Sequence, residues 1–88
     1  MRLYYEDSMR YYVGVTKNYR TTFRAAETPT EKTHGHLFIY VIGPFASKLA
    51  AELMAIHGEG NPHMQHVSEC NTLARKGREW LRKRGFGV

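Results

Sequence analysis

Six cationic side chains crowd the end of this chain. Arg75, Lys76, Arg78, Arg82, Lys83 and Arg84 stand against Glu79 alone, a positive excess equal to the +5 of all 88 residues. Residues 1–74 are therefore formally neutral. On a helix, Arg75, Arg78 and Arg82 share one stripe by i, i+3, i+7 spacing, with Lys76 and Lys83 beside it and Trp80 and Leu81 anchoring the opposite side. A stripe of that kind tracks phosphates, and each phosphate met on a duplex contributes about −0.9 to the log–log salt slope. A solvated helix face whose cations favour the C-terminal end of the dipole uses the same residues. Nothing in the spacing specifies base readout. Tyr4, Tyr5, Tyr11, Tyr12 and Tyr19 add rings able to stack single-stranded bases on an open sheet face, although Tyr is common in strands for packing alone.

A second set of candidates is metal-ligating. His57, His63, His66 and Cys70 are spaced H-x5-H-x2-H-x3-C, and His34 and His36 form a further pair. Imidazole and thiolate donors suit tetrahedral zinc, which would stabilise so small a domain. The spacing matches no established zinc signature. The same residues serve equally as loop and cap side chains, and no metal or other cofactor is expected. Cys70 follows His66 by four residues, the one nucleophile–base pair that helical spacing brings together. Cys70 also falls on an apolar helix face, where a free thiol is inert. The eight carboxylates show no pairing, and there is no Gly-rich phosphate loop. The expectation is a protein that is not an enzyme. Residues 28–36 and the run His63-Met64-Gln65-His66, with the nearby cations, are candidates to line a nucleotide pocket.

These side chains need a scaffold, and the most apolar stretch suggests its centre. Residues 37–42 are consecutively apolar, rich in β-branched and aromatic types, and followed by Gly43-Pro44. The pattern predicts a strand buried on both faces and stopped by Gly-Pro. After Arg10 the chain alternates, with Tyr11, Val13 and Val15 on one face and Tyr12, Gly14 and Thr16 on the other, as in a half-buried strand. Lys17-Asn18-Tyr19-Arg20 suits a hairpin loop, and residues 21–25 read as the return strand with Phe23 and Ala25 inward. Thr28-Pro29-Thr30-Glu31 predicts a helix start capped by Thr28, with Glu31 reaching back, and Gly35 limits it to one turn. Ser47 caps a longer helix with Leu49, Ala50, Leu53, Met54 and Ile56 on its apolar side, and Gly58 is expected to end it in the left-handed conformation. Glu59-Gly60-Asn61-Pro62 is a loop. Val67-Ser68 opens a last helix with Cys70, Leu73, Ala74, Gly77, Trp80 and Leu81 on its inner face. Gly77 there either permits a close helix approach or marks a kink.

The sum is an α+β fold in the order β-β-β-α-α, a three-stranded antiparallel sheet packed by two C-terminal helices. Residues 1–8 read as an extension or a fourth edge strand, with Met9 an alternative start, and residues 9–88 as a single domain near the lower size limit. Helices on one face would leave the other face of residues 37–42 bare, so either the two helices divide the faces or a second copy covers one, and of these a homodimer is expected. The lone Cys70 permits no intramolecular disulfide and suits a reducing, cytoplasmic setting. No stretch approaches the roughly 20 apolar residues of a membrane span, and the N-terminus lacks the apolar run of a signal peptide. The net positive charge favours a polyanionic partner.

The pattern His34-Gly35-His36-Leu37, Val41-Ile42-Gly43-Pro44-Phe45, Lys48, Ala51-Glu52-Leu53-Met54, Gly58 and Asn61-Pro62-His63 resembles a class of small proteins of phages and bacterial mobile elements. The likeness spans about residues 9–75 and implies a setting in an infected host cell rather than a mechanism. Val41-Ile42-Gly43-Pro44-Phe45-Ala46-Ser47 is also similar to SPOR domains, which bind peptidoglycan, but the repeated half and secreted context of that family are missing here. The functional expectation is a non-enzymatic binding protein that contacts nucleic acid, or a complex bearing it, through the 75–84 helix. The alternative is a phage-encoded antagonist that binds a host defence protein or sequesters a nucleotide signal.

Overall fold

The computed structural model describes residues 10–58 and 60–88. The expectation for residues 1–8 lies outside the described residues. The alternating stretch after Arg10 forms β1, Arg10–Val15, and the chain returns as β2, Arg20–Ala25. Thr16 organises the hairpin between them, its Oγ1 accepting from the N–H groups of Asn18 and Tyr19 at 3.2 and 3.0 Å. The pairing is antiparallel from Arg10↔Ala25 to Val15↔Arg20. A third strand, β3 (Tyr40–Phe45), pairs antiparallel with the other edge of β1, giving the order β2-β1-β3. The centre of the sheet is therefore β1, and the apolar run 37–42 only partly overlaps an edge strand. Leu37, Ile39 and Tyr40 are 53%, 68% and 56% exposed, which corrects the reading of a strand buried on both faces. The reason is topological. β2 and β3 both pair with β1 and so run parallel to each other, and a parallel connection must cross the sheet. Residues 26–39 make that crossing, and 37–39 belong to it.

Gly43-Pro44 lies inside β3 rather than ending it. Between the pairs Tyr11↔Phe45 and Val13↔Ile42, the single residue Tyr12 stands opposite both Gly43 and Pro44, a β-bulge. Gly43 has φ 143° and the Gly43–Pro44 peptide is cis. Pro44 offers no N–H, which an edge strand tolerates. The extra residue reverses the side-chain alternation, so Phe45 joins Val13 and Ile42 on one face and is fully buried there.

Four helices complete the fold. The turn α1, Glu31–His34, is capped by Thr30 rather than Thr28. Thr30 Oγ1 accepts from the Thr33 N–H at 3.2 Å while Thr33 Oγ1 accepts from the Thr30 N–H at 2.9 Å, so Thr33 takes the reciprocal place expected of Glu31. In α2, Lys48–His57, Ser47 is the cap and accepts from the Ala50 N–H at 3.2 Å. Gly58 ends α2 in the right-handed conformation, its N–H still bonded to the Met54 carbonyl, which corrects the left-handed expectation. Space is what selects glycine here, since a Cβ would strike Met54. The expected single C-terminal helix is two, α3 (Val67–Ala74) and α4 (Arg78–Lys83). Gly77 between them has φ 92°, a conformation that an α-helix of L-residues cannot carry through.

The two sheet faces are covered by different means. On one, Val13, Val15 and Phe45 form a buried cluster with Ala50, Ala51, Leu53 and Met54 of α2, Cys70 of α3, Leu81 of α4 and Met64. Each fully buried aliphatic or aromatic side chain of this kind contributes roughly 1.5–3 kcal/mol. The other face receives the crossover and a group of rings. Phe38 seats on Gly14, where any Cβ would come within 2.4 Å of the ring, and Tyr12 lies over Gly43 in the same way. Phe23 stacks on Tyr12, His34 and Phe38 with centroids 5.7, 5.1 and 5.3 Å away. Phe23 thus points away from the helices, and this second face is neither bare nor divided between α2 and α3.

Candidate nucleic-acid interface

The break at Gly77 decides how the cations are arranged. Arg75 caps the end of α3 and Lys76 follows it, whereas Arg78, Arg82 and Lys83 lie on α4 and Arg84 caps it. The i, i+3, i+7 stripe expected of Arg75, Arg78 and Arg82 assumed one continuous helix and is not formed. Two of the six cations are engaged by carboxylates. Arg78 Nη2 lies 2.7 Å from Glu52 Oε1, a bond that ties α4 to α2. Lys83 Nζ lies 3.5 Å from Glu79 Oε1, an exposed i, i+4 pair of little energetic weight.

The other four, Arg75, Lys76, Arg82 and Arg84, meet no carboxylate side chain among the described residues. Arg75 donates to Thr72 Oγ1 at 3.4 Å, and Arg82 Nε donates to the Val88 main-chain oxygen at 3.1 Å. The remaining two converge on the single tryptophan. The Arg84 guanidinium carbon stands 3.9 Å from the Trp80 ring centroid and Lys76 Nζ 5.6 Å from it. Trp80 is half-buried, one part packed against the core and the rest presented beside these cations. Sequence reasoning treated Trp80 only as an anchor. The spacing Trp80-x3-Arg84 was the available signal, since i, i+4 neighbours meet on a helix, whereas Lys76 precedes the break at Gly77 and meets the ring across it.

Among the described residues, Tyr11, Tyr12 and Tyr19 do not make a second platform. Tyr4 and Tyr5 lie outside the described residues. Tyr12 is 4% exposed beneath the crossover, Tyr11 carries the Arg24 guanidinium 5.5 Å above its ring, and Tyr19 sits exposed in the hairpin loop. The open sheet face they were expected to line is occupied.

The histidines and Cys70 are dispersed. His57 Nε2 is 3.2 Å from the Gly87 carbonyl oxygen, and its ring meets Phe86 edge-on. His66 caps α3, with Glu69 Oε1 accepting from its N–H at 2.9 Å. Among the described residues no group of three or more His, Cys, Asp or Glu side chains is placed to hold a metal ion. Cys70 is fully buried, its Sγ 3.8 Å from the Met64 carbonyl. Burial, with the Glu69 carboxylate adding to it, pushes the thiol up to about 11, so it is protonated and unreactive at neutral pH. His34 belongs to the ring stack, with Nδ1 2.8 Å from Thr33 Oγ1, and His36 is exposed in the crossover.

The two segments proposed to line a nucleotide pocket border different cavities. Thr30, Glu31 and His34 border a cavity of about 220 Å³ together with Phe38 and Tyr40, while His63 borders another of about 400 Å³ with Leu73 and Phe86. Among the described residues no helix is long and apolar enough to cross a membrane. No family model, curated protein or solved structure matches the chain.

Proposed function

We propose that this chain is a non-enzymatic binding protein that contacts nucleic acid through the corner where α3 meets α4. The observation that carries the reading is Trp80 beside Lys76 and Arg84, with Arg75 at the end of α3, Arg82 on α4, and none of the four cations paired with an Asp or Glu side chain among the described residues. Cations of this kind neutralise phosphates, and a guanidinium stacked on an indole makes a flat surface on which an unstacked base can lie. Arg78 and Lys83, bound to Glu52 and Glu79, support the corner rather than serve as primary contacts. The broken stripe favours a single strand over a duplex, because a six-residue α4 is a short element to lay along a groove. The resemblance to phage proteins adds a setting, the cytoplasm of an infected cell, where such a partner is abundant.

Trp80 is the only tryptophan, so its fluorescence reads the proposed site directly. Titration with a single-stranded oligonucleotide is expected to quench that emission, with a log–log salt slope near −0.7 for each phosphate neutralised. Reversal of Lys76 and Arg84 to Glu is expected to weaken binding at least tenfold, on the order of 1.4 kcal/mol or more. Unchanged emission at low salt, or binding that survives the reversal, would overturn the reading.

A further inference from the structure

On its helical face, β2 carries side chains that packing alone would not choose. Residues directly opposite on antiparallel strands point to the same side. Tyr11, Val13 and Val15 of β1 pack into or against the buried cluster, and opposite them on β2 stand Arg24, Thr22 and Arg20. The helix α2 lies against β2 as well as β1, so all three positions would suit apolar residues. They hold two cations and a hydroxyl instead. Beside them is a cavity of about 360 Å³ bordered by Tyr11, Thr22, Phe23, Arg24 and Lys48, the first residue of α2. No described Asp or Glu borders it. The Arg24 guanidinium stands over the Tyr11 ring at 5.5 Å, a contact that leaves its N–H groups available. Neither the Arg24 nor the Lys48 side chain is ion-paired or hydrogen-bonded to a described residue.

We infer that this cavity binds a phosphate monoester, its phosphate seated between Arg24 and Lys48 with the Thr22 hydroxyl as a further donor. Charge selects the class, since the lining offers two cations and no carboxylate. A guanidinium fork matches two phosphate oxygens at once, and an ammonium adds a compact charge. A dianionic monoester gains more from such a pair than a carboxylate or a diester, each of which carries one charge. The volume falls within the range of small-molecule sites, roughly 300–1,000 Å³, which leaves room for the group that the phosphate carries. The site shares no residue with the Trp80 corner and does not rest on that reading.

Titration calorimetry of the full chain at low salt compares adenosine 5′-monophosphate with adenosine, which lacks only the phosphate. Millimolar or tighter binding of the monophosphate is expected, and none of adenosine. Arg24→Gln/Lys48→Gln is expected to weaken that binding about tenfold or more with unchanged circular dichroism. Lys48→Gln alone, at an exposed position, reads the same loss if the double variant fails to fold. Lys76→Glu/Arg84→Glu is expected to leave the binding unchanged, so the two sites fail independently. In that same variant a 5′-phosphorylated oligonucleotide separates the sources of the monoester. Tighter binding than its unphosphorylated twin supports the site with a strand end as ligand, and equal binding beside a bound monophosphate supports it with a free mononucleotide. Equal affinity for adenosine and its monophosphate, no binding of either, or a loss that follows Lys76 and Arg84 rather than Arg24 and Lys48 would overturn the inference.

Discussion

The two faces of the sheet solve one problem with unequal means. Toward α2 and α3, side chains from five elements and a loop interlock, and Val13, Phe45, Leu53, Met64, Cys70 and Leu81 are all fully buried. Toward the crossover there is one helical turn and a stack of flat rings, of which Phe23, His34 and Phe38 stay half-exposed. Glycines make the thin cover possible, because Gly14 and Gly43 let rings lie directly on the backbone of β1 and β3. The contrast teaches that a short chain can close a second sheet face without a second layer of helices. It does so with weaker, more solvated contacts.

The sharpest way to test that ranking is to remove one central side chain from each face. Leu53→Ala leaves a cavity in the helical layer and is expected to cost about 3 kcal/mol in urea denaturation. Phe23→Ala removes the ring that touches three others, yet its partial exposure limits the expected loss to about 2 kcal/mol. Equal losses would mean that the ring stack is as strong a cover as the helices. A smaller effect isolates the helical face through pH. The fold raises the Cys70 thiol from 9.0 to about 11, so between those values the unfolded chain ionises first and stability falls as pH rises. The contribution is intact below pH 9, and a loss of roughly 1 kcal/mol is expected by pH 10. Cys70→Ala should flatten that slope, and a variant with the same alkaline slope would show that the thiol does not titrate as its burial requires.

Much of the scaffold was legible before any coordinates, and the failures share a cause. Alternation marked β1, the polar run Lys17-Asn18-Tyr19-Arg20 marked the hairpin, and Ser47 with its periodic apolar residues marked α2, because these signals are local. The apolar run 37–42 misled because composition does not say whether a strand is central or at an edge; that depends on pairing between residues far apart. Gly43-Pro44 signals a stop only if no bulge absorbs it, and Tyr12 on another strand provides the bulge. Thr30 displaced Thr28 as cap because Thr33 supplied the partner that Glu31 was assigned. At the candidate site, residue identities were visible but their grouping was not. The kink reading of Gly77 separates Arg75 from Arg78, while the Glu52 contact of Arg78 joins residues 26 positions apart, which no periodicity reveals.

The path of residues 26–39 bears on how the molecule comes together. β1 and β2 are neighbours in sequence and can zip from their turn, a local event with little chain to order. β3 reaches its place only after the intervening segment has been drawn over β1, a loop closure whose entropy is spent before any of its contacts form. The hairpin is thus the early half of the sheet and β3 the late one. Until Phe38 finds Gly14, the nascent chain holds its longest uncharged stretch in the open, the condition under which a chaperone, or another copy, finds it first.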